Sequence, residues 1–162
     1  MKASPDKKRS IVGMLISRLL HSYFVLTRGL TLGVRAIVQS DDGKFLLVSH
    51  TYTPGWYFPG GGVGKGQTAE DALRIELQQE TGLRLRGTPE LLGVFHNSSI
   101  SSRDHVLVYR CQVDGKMPQK PPSMEIAEYG FFDLNALPEG TDAGTERRMR
   151  EIVEGADQSE AW

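Results

Sequence analysis

Two glutamates four residues apart, Glu76 and Glu80, are the side chains of this sequence whose type and spacing best suit acid–base or metal chemistry. At about 100° of rotation per residue, they lie on one side of a helix together with Ala69, Ala72 and Leu73, which mark its inward face. Like charges on that face repel each other and lose hydration, so that their pKa values rise. The pair therefore suits a site that a cation neutralises, although glutamates that border the core and reach water fit the same spacing.

The loop before this helix is rich in glycine, with glycines at positions 60, 61, 62 and 64. Glycine allows backbone amides and carbonyls to approach a ligand closely, and the N-terminus of a helix attracts anions. Carboxylate and carbonyl oxygens are the ligands of hard cations, and Mg²⁺ commonly joins one or two carboxylates to the phosphates of a substrate. The loop and the helix together predict metal-assisted phosphate chemistry.

A nucleotide-binding P-loop is the competing interpretation of the run from Gly60 to Lys65. The P-loop pattern G-x-x-x-x-G-K-[ST] requires glycine where Pro59 stands and serine or threonine where Gly66 stands. Both requirements fail, and the P-loop interpretation is rejected.

The helix that carries the glutamates has clear end signals. Thr68 is the expected N-cap, with Asp71 three residues later as an approximate capping box, and Gly82 is the expected C-terminal stop. Before the glycine loop, the apolar runs 30–38 and 45–48 flank an Asp-Gly turn signal and predict a β-hairpin. The remaining elements are expected as strands over 91–95 and 106–113 and as a helix over 145–154.

Composition indicates one globular domain, with 162 residues of which 39% are hydrophobic and 24% are charged. A formal net charge of -1 argues against electrostatic binding of a nucleic-acid polymer. The single cysteine, Cys111, excludes an internal disulfide and a Cys-rich zinc site. It favours a reducing compartment, and a cytoplasmic location is therefore expected.

The expected organisation is an N-terminal extension over residues 1–29, a main domain over 30–155 and a C-terminal tail over 156–162. The extension has the apolar spacing of an amphipathic helix from about residue 10 to 26. Its apolar run contains Arg18 and is shorter than the roughly 20 residues of a membrane span, so neither an export signal nor a transmembrane helix is predicted. The helix can dock on the core, on a second subunit of a homodimer or on a membrane surface, and these three arrangements stay open.

The glycine loop and the helix resemble the Nudix box, whose pattern is G-x5-E-x7-R-E-U-x-E-E-x-G-U with U aliphatic. Aligned on Glu80, six of the nine defining positions match: Gly61, Glu76, Leu77, Glu80, Gly82 and Leu83. Three depart, because the first glutamate is Gln67, the arginine is Ile75 and the first of the paired glutamates is Gln79. The resemblance covers about residues 30–135, and the N-terminal extension lies outside it.

The resemblance to the Nudix superfamily implies an α/β/α sandwich with a mixed β-sheet, here with an added N-terminal helix. It also implies hydrolysis of the pyrophosphate linkage in a nucleoside diphosphate joined to another moiety, with Mg²⁺ as cofactor and Mn²⁺ as an alternative. By the same resemblance, Glu80 is a metal ligand, Glu76 is a ligand or the base that activates water, and the Gly61 carbonyl is a further ligand. Either Glu125 or Glu128 matches the acidic residue that the family often adds from a downstream loop.

The departures from the box raise a second hypothesis, a Nudix-fold module that binds a nucleotide-like ligand without efficient catalysis. Gln79 favours this second hypothesis, because an amide oxygen can coordinate a cation weakly but does not neutralise its charge. At positions 67 and 75 the glutamate and the arginine of the box are both replaced by neutral residues. Losing both members of a charge pair is milder than losing one, because no charge is left unpaired. Substrate contacts are expected from five residues, each of which also has an ordinary packing or surface role as its alternative: Arg35, Trp56, Gly60, Gly62 and His105.

Overall fold

The computed structural model describes residues 29–119, 121 and 123–162, together with Leu19, Leu20 and Tyr23. Apart from these three positions, the amphipathic helix predicted over residues 10–26 lies outside the described residues. The chain divides into two compact units, Met1–Leu30 and Thr31–Trp162. Among the helices in this described part of the chain, none has the length and apolar character needed to cross a membrane.

The second unit contains strands, two longer helices and a 3-10 turn, which follow one another in a mixed order. In the described residues they are β1 (Thr31–Ile37), β2 (Phe45–His50), α1 (Ala69–Thr81), β3 (Arg84–His96), β4 (Asp104–Asp114), β5 (Ile126–Phe132), a 3-10 helix (Leu134–Ala136) and α2 (Ala143–Glu154).

The strands form a three-stranded and a two-stranded group, and the pairing is mixed because it includes parallel and antiparallel neighbours. β4 lies between β1, to which it is parallel, and β3, to which it is antiparallel, while β2 pairs with β5 in antiparallel fashion. The glycine loop runs along the other edge of β1, because the Val34 N–H donates to the Gly61 carbonyl at 2.9 Å and the Ala36 N–H donates to the Pro59 carbonyl at 2.8 Å. The loop is thus fixed to β1, the edge strand of the three-stranded sheet, before the chain enters α1.

Two clusters of buried apolar residues fill the two sides of this sheet. One includes Leu73 and Leu77 of α1 with residues of β1 and β4, and the other includes Met149 of α2 with Phe58. A helix therefore covers each side, as in an α/β/α sandwich with a mixed sheet, and the predicted fold class is confirmed.

The predicted hairpin between β1 and β2 is wrong in its pairing. The chain does turn there, with Gly43 at φ 82 and the Leu46 N–H donating to the Val38 carbonyl at 3.0 Å. A single bridge, Gln39 to Phe45, joins the two segments, and each strand then takes its ladder from a distant partner. Residues 45–48 of β2 are at most 1% exposed, a pattern typical of strands that are covered on both faces.

Candidate active site

Helix α1 begins and ends as its sequence predicts. Thr68 Oγ1 accepts a hydrogen bond from the Asp71 N–H at 3.1 Å, and Asp71 Oδ2 accepts one from the Thr68 N–H at 3.2 Å. Gly82 ends the helix at φ 74, with its N–H donating to the Gln78 carbonyl at 2.9 Å. This fixed register is what sets Glu76 and Glu80 one turn apart on the inner side of the helix.

Glu80 is the most buried carboxylate of the pair, with 6% of the residue exposed. Its Oε2 accepts a hydrogen bond of 2.8 Å from the Gly60 N–H of the glycine loop. Burial raises the pKa of Glu80 to about 8, and the Gly60 bond opposes this rise while the charge of Glu76 adds to it. Glu76 is half-buried, and its pKa is also raised, mainly by burial. A bound cation would therefore stabilise the ionised forms of both carboxylates.

The glycine loop lies directly against these carboxylates. A Cβ on Gly61 would lie 2.5 Å from the carboxylate carbon of Glu76, and one on Gly60, at φ 148, would clash with the Val34 carbonyl. A side chain at position 60 would push the loop away from β1, and one at position 61 would displace the Glu76 carboxylate. The Gly61 carbonyl accepts the Val34 N–H at 2.9 Å and keeps a second lone pair for another partner.

Arg35 brings a positive charge to the same place from β1. It is half-buried, and its Nη1 donates to the Val34 carbonyl at 3.0 Å. Burial lowers the pKa of Arg35, while Glu80, Asp142 and Glu76 raise it. A guanidinium stays charged at neutral pH in such surroundings, so that Arg35 offers its remaining N–H groups to an anion. Arg35 therefore interacts electrostatically with the carboxylates of the site, and its contact with a phosphate stays a prediction.

Two residues at the site were not found by sequence reasoning. Asp142, the N-cap of α2, accepts from the Thr145 N–H at 2.8 Å and interacts electrostatically with Arg35. His50, at the end of β2, places its Nε2 3.5 Å from Glu80 Oε1. A signal for His50 existed in the alternation of β2, because Leu46 and His50 share the face of the strand that meets α1.

The downstream carboxylates are separated by the structure. Glu125 is close enough to raise the pKa values of both Glu76 and Glu80. It is held in place through its carbonyl, which accepts the Thr51 N–H at 2.8 Å. Glu128 is exposed and lies opposite Ser49 in the ladder of β2 and β5. Glu125 is therefore the one that geometry associates with the pair of α1.

The remaining predicted contacts have these surroundings. Trp56 packs edge-on against Phe132, with ring centroids 4.8 Å apart. His105 lies against His96, with ring centroids 5.3 Å apart. Gly62 forms a bridge to Gly33 of β1. These contacts do not involve Glu76 or Glu80. That Trp56, His105 and Gly62 contact a substrate remains a prediction.

The departures from the box leave the loop intact. Gln67 Oε1 accepts a hydrogen bond of 2.8 Å from the Gly64 N–H, so that a neutral side chain holds the end of the loop. Ile75 is 39% exposed, so at the position of the box arginine this chain has an apolar side chain that reaches solvent. Gln79 is exposed, one helical turn from Glu76.

The donor set suits a cation that is completed by its substrate. In the described part of the chain, no three His, Cys, Asp or Glu side chains are grouped so as to hold a metal ion by themselves. Mg²⁺ does not require such a cage, since it retains waters and binds through one or two carboxylates together with substrate phosphates. Glu76 and Glu80 with the free lone pair of the Gly61 carbonyl supply that kind of half-site.

Comparison with known proteins agrees with this geometry. Residues 29–154 match the NUDIX domain family. An ADP-ribose pyrophosphatase from Methanocaldococcus jannaschii is 34% identical over 108 residues, which cover 65% of this chain and 63% of that protein. The chain thus spans slightly less than two thirds of the length of this relative. The match covers the sheet, both helices and the glycine loop, and the chain belongs to the Nudix family.

Solved structures show the same fold. A MutT NUDIX hydrolase from Burkholderia pseudomallei has a TM-score of 0.65 and 23% identity, over 75% of this chain and 97% of that one. An ADP-ribose pyrophosphatase from Streptococcus suis has a TM-score of 0.60 and 25% identity, over 82% of this chain and 95% of that one. These likenesses show that the fold of this chain is shared with both structures.

Proposed function

We propose that this protein is a Mg²⁺-dependent hydrolase of the pyrophosphate linkage in a nucleoside diphosphate joined to another moiety. The observation that carries the proposal is the glycine loop bound against the carboxylates of α1, with the Gly60 N–H on Glu80 and Gly61 against Glu76. Family membership and the names of the relatives, which include ADP-ribose pyrophosphatases, support this class of substrate.

Glu80, Glu76 and the Gly61 carbonyl would hold the cation, with Glu125 contributing from the loop before β5 and Gln79 as a weak ligand. When bound, Mg²⁺ neutralises charge on the phosphate oxygens and lowers the pKa of a coordinated water. Mn²⁺ offers the same oxygen coordination and is the alternative ion. Burial is the main cause of the raised pKa values of Glu76 and Glu80, and a bound cation would favour the ionised form of both groups.

The chain's own residues would divide the remaining work. Glu76 is half-buried and has no backbone N–H partner among the described residues, and it would accept the proton of the attacking water at a carboxylate oxygen. Arg35 would bind a phosphate oxygen through the guanidinium N–H groups that do not donate to the Val34 carbonyl. The new bond joins the water oxygen to phosphorus, and the bond to the bridging oxygen breaks, which yields two phosphate monoesters.

A second candidate is a Nudix-fold module that binds a nucleotide-like ligand without efficient turnover. The neutral side chain of Gln79 favours it, because the site then has one negative charge fewer than the box requires. The raised pKa of Glu80 points the same way, because a carboxyl protonated at pH 7 must release its proton before a cation binds.

The experiment that separates the two candidates measures phosphate-bond cleavage over a panel of compounds, with Mg²⁺ and with Mn²⁺. The panel contains nucleotide sugars, ADP-ribose, dinucleoside polyphosphates and nucleoside triphosphates. Turnover of one class, lost in Glu80→Gln, supports the hydrolase. Micromolar binding without turnover of any compound supports the binding module instead.

The cellular setting is proposed on separate grounds. Cys111 is the single cysteine of the sequence and is a buried free thiol, which favours a reducing compartment and hence the cytoplasm. A homodimer remains one of the open arrangements for the N-terminal extension. Light scattering of the chain with and without residues 1–28 tests this.

A further inference from the structure

His50 is the imidazole that meets the buried metal-site carboxylate. Its Nε2 lies 3.5 Å from Glu80 Oε1, while the other oxygen, Oε2, is bound by the Gly60 N–H at 2.8 Å. The two side chains are 13% and 7% exposed, so that little water separates them. Each oxygen of Glu80 thus faces a different nitrogen, and together these two contacts define the plane of the carboxylate.

His50 lies on the face of β2 that meets α1, beside an irregularity in the pairing of β2 with β5. The register of β2 and β5 shifts between Ser49 and His50, because Ser49 pairs with Glu128 and His50 pairs with Ile126, which leaves Ala127 as an extra residue. The extra residue bends β5 beside His50, and such bulges are frequent next to active sites. The regular ladder ends where the strand reaches Glu80.

The hydrogen bonding of His50 shows that packing alone does not account for it. Its Nδ1 is buried and has no hydrogen-bond partner within the described residues. An apolar side chain would avoid that cost, whereas a histidine with its proton on Nε2 directs a donor at Glu80 and leaves only an acceptor unpaired. Tyr52 and Tyr57 flank the ring, with centroids at 5.2 and 6.1 Å, and hold it in this orientation.

We propose that His50 is a positioning residue that orients the Glu80 carboxylate for the cation. This inference rests on the proposed function, because it assigns Glu80 to a metal site. Groups that contact a ligating carboxylate or imidazole typically change metal affinity 10- to 100-fold when they are removed. His50 is placed to have that role toward Glu80, and it does not contact the reacting phosphate itself.

The test measures Mn²⁺ binding directly by electron paramagnetic resonance, with turnover as a second readout. His50→Leu removes the donor and retains side-chain bulk, whereas His50→Gln retains an amide donor near the position of Nε2. His96→Leu is the matched control, because His96 is a second histidine of the same domain outside this site. We expect His50→Leu to weaken Mn²⁺ binding roughly 10-fold or more, and His50→Gln to recover most of that loss.

Glu80→Gln, measured alongside, distinguishes the possible failures. If Glu80→Gln loses Mn²⁺ binding while His50→Leu binds as tightly as the unaltered protein, the role of His50 is overturned and the metal site stands. Equal losses in His50→Leu and His50→Gln, with both variants folded by circular dichroism, also overturn it, because a packing role then explains the effect. If Glu80→Gln binds Mn²⁺ normally, the proposed metal site is wrong and the inference falls with it.

Discussion

The Glu80 carboxylate accepts a 2.8 Å hydrogen bond from the Gly60 N–H, a residue 20 positions earlier in the chain. The bond joins the glycine loop on β1 to the inner face of α1, so that the loop carbonyls and the helix carboxylates form one rigid half-site. Glu80 is buried at this junction, and its burial is the main cause of its raised pKa, which the Gly60 bond opposes. The proposed metal chemistry depends on that relationship.

Cation binding should depend on pH through Glu80. Its pKa is raised from 4.5 to about 8, so below pH 8 a cation must displace a proton. We expect the apparent Mn²⁺ affinity to rise about tenfold per pH unit from pH 6 to 8 and to level off above that. Calorimetry in two buffers of different ionisation enthalpy should count about one released proton at pH 7. An affinity that stays constant over this range would contradict the assignment.

The same shift predicts the stability of the metal-free protein. The folded state holds the Glu80 proton up to about pH 8, whereas the unfolded chain releases it near 4.5. Stability from this group is therefore complete below pH 4.5 and is lost as the pH rises through 8. Urea unfolding with EDTA should show this decline in the unaltered protein and a smaller one in Glu80→Gln. Parallel pH profiles for the two proteins would argue against it.

Gln79→Glu should strengthen cation binding, because it restores a carboxylate one turn from Glu76. One added negative charge near a partly solvated cation contributes about 1.4 kcal/mol to its binding. This corresponds to roughly a tenfold gain in affinity, and in turnover when Mg²⁺ is limiting. Gln78→Glu adds the same charge on the other side of the same helix and serves as the control. Identical effects of the two substitutions, or none in Gln79→Glu, would show that Gln79 is not a limiting ligand.

Arg35→Gln should act in opposite directions on the cation and on the substrate. The guanidinium repels a cation held by Glu76 and Glu80, so its removal should tighten Mn²⁺ binding at pH 8.5. The lost phosphate contact should lower kcat/KM by roughly 10- to 100-fold. Calorimetry and steady-state kinetics on the same preparation measure both effects. Weaker Mn²⁺ binding in Arg35→Gln would indicate a structural role for Arg35 instead.

The C-terminal residues are fastened to α2 through Arg148, which is 2% exposed. Its guanidinium pairs with Glu151 at 2.8 Å, donates to the carbonyls of Ser159 and Ala161 at 3.1 Å each, and lies 4.0 Å from the ring centroid of Phe95. Arg148→Leu should cost about 3–5 kcal/mol in the free energy of unfolding, because it leaves the buried Glu151 charge unpaired.

The control for Arg148 lies on the same helix. Arg150 pairs with Glu146 and Glu154 on the exposed side, and Arg150→Leu should cost less than about 1 kcal/mol. Urea unfolding of the two variants compares them directly. A cost below 1 kcal/mol for Arg148→Leu would show that the buried pair and the strap of residues 159–162 contribute little.

The parts of this structure that the sequence could predict are those set by neighbouring residues. The bounds of α1 follow from Thr68, Asp71 and Gly82, and the facing of Glu76 and Glu80 follows from helical rotation. These features depend on contacts within one turn or one cap. They identify the half-site before any tertiary contact is known.

The features that could not be predicted depend on contacts between distant segments. β1 pairs with β4, whose first residue, Asp104, lies 73 positions after Thr31, and no local pattern specifies that partner. The meeting of His50 and Arg35 with α1 likewise follows from the order of strands in the sheet. The choice of Glu125 over Glu128 depends on the bulge at His50, which the sequence alone does not reveal.

The central claim is that the half-site of Gly60, Gly61, Glu76 and Glu80 supports cleavage of a pyrophosphate bond. The most direct measurement follows ADP-ribose and the other panel compounds by ³¹P NMR with Mg²⁺ and the unaltered protein. Diphosphate signals of at least one compound should be replaced by two monophosphate signals, and Glu80→Gln should leave them unchanged. Persistence of every diphosphate signal, with binding of the compound confirmed by calorimetry, would contradict the claim.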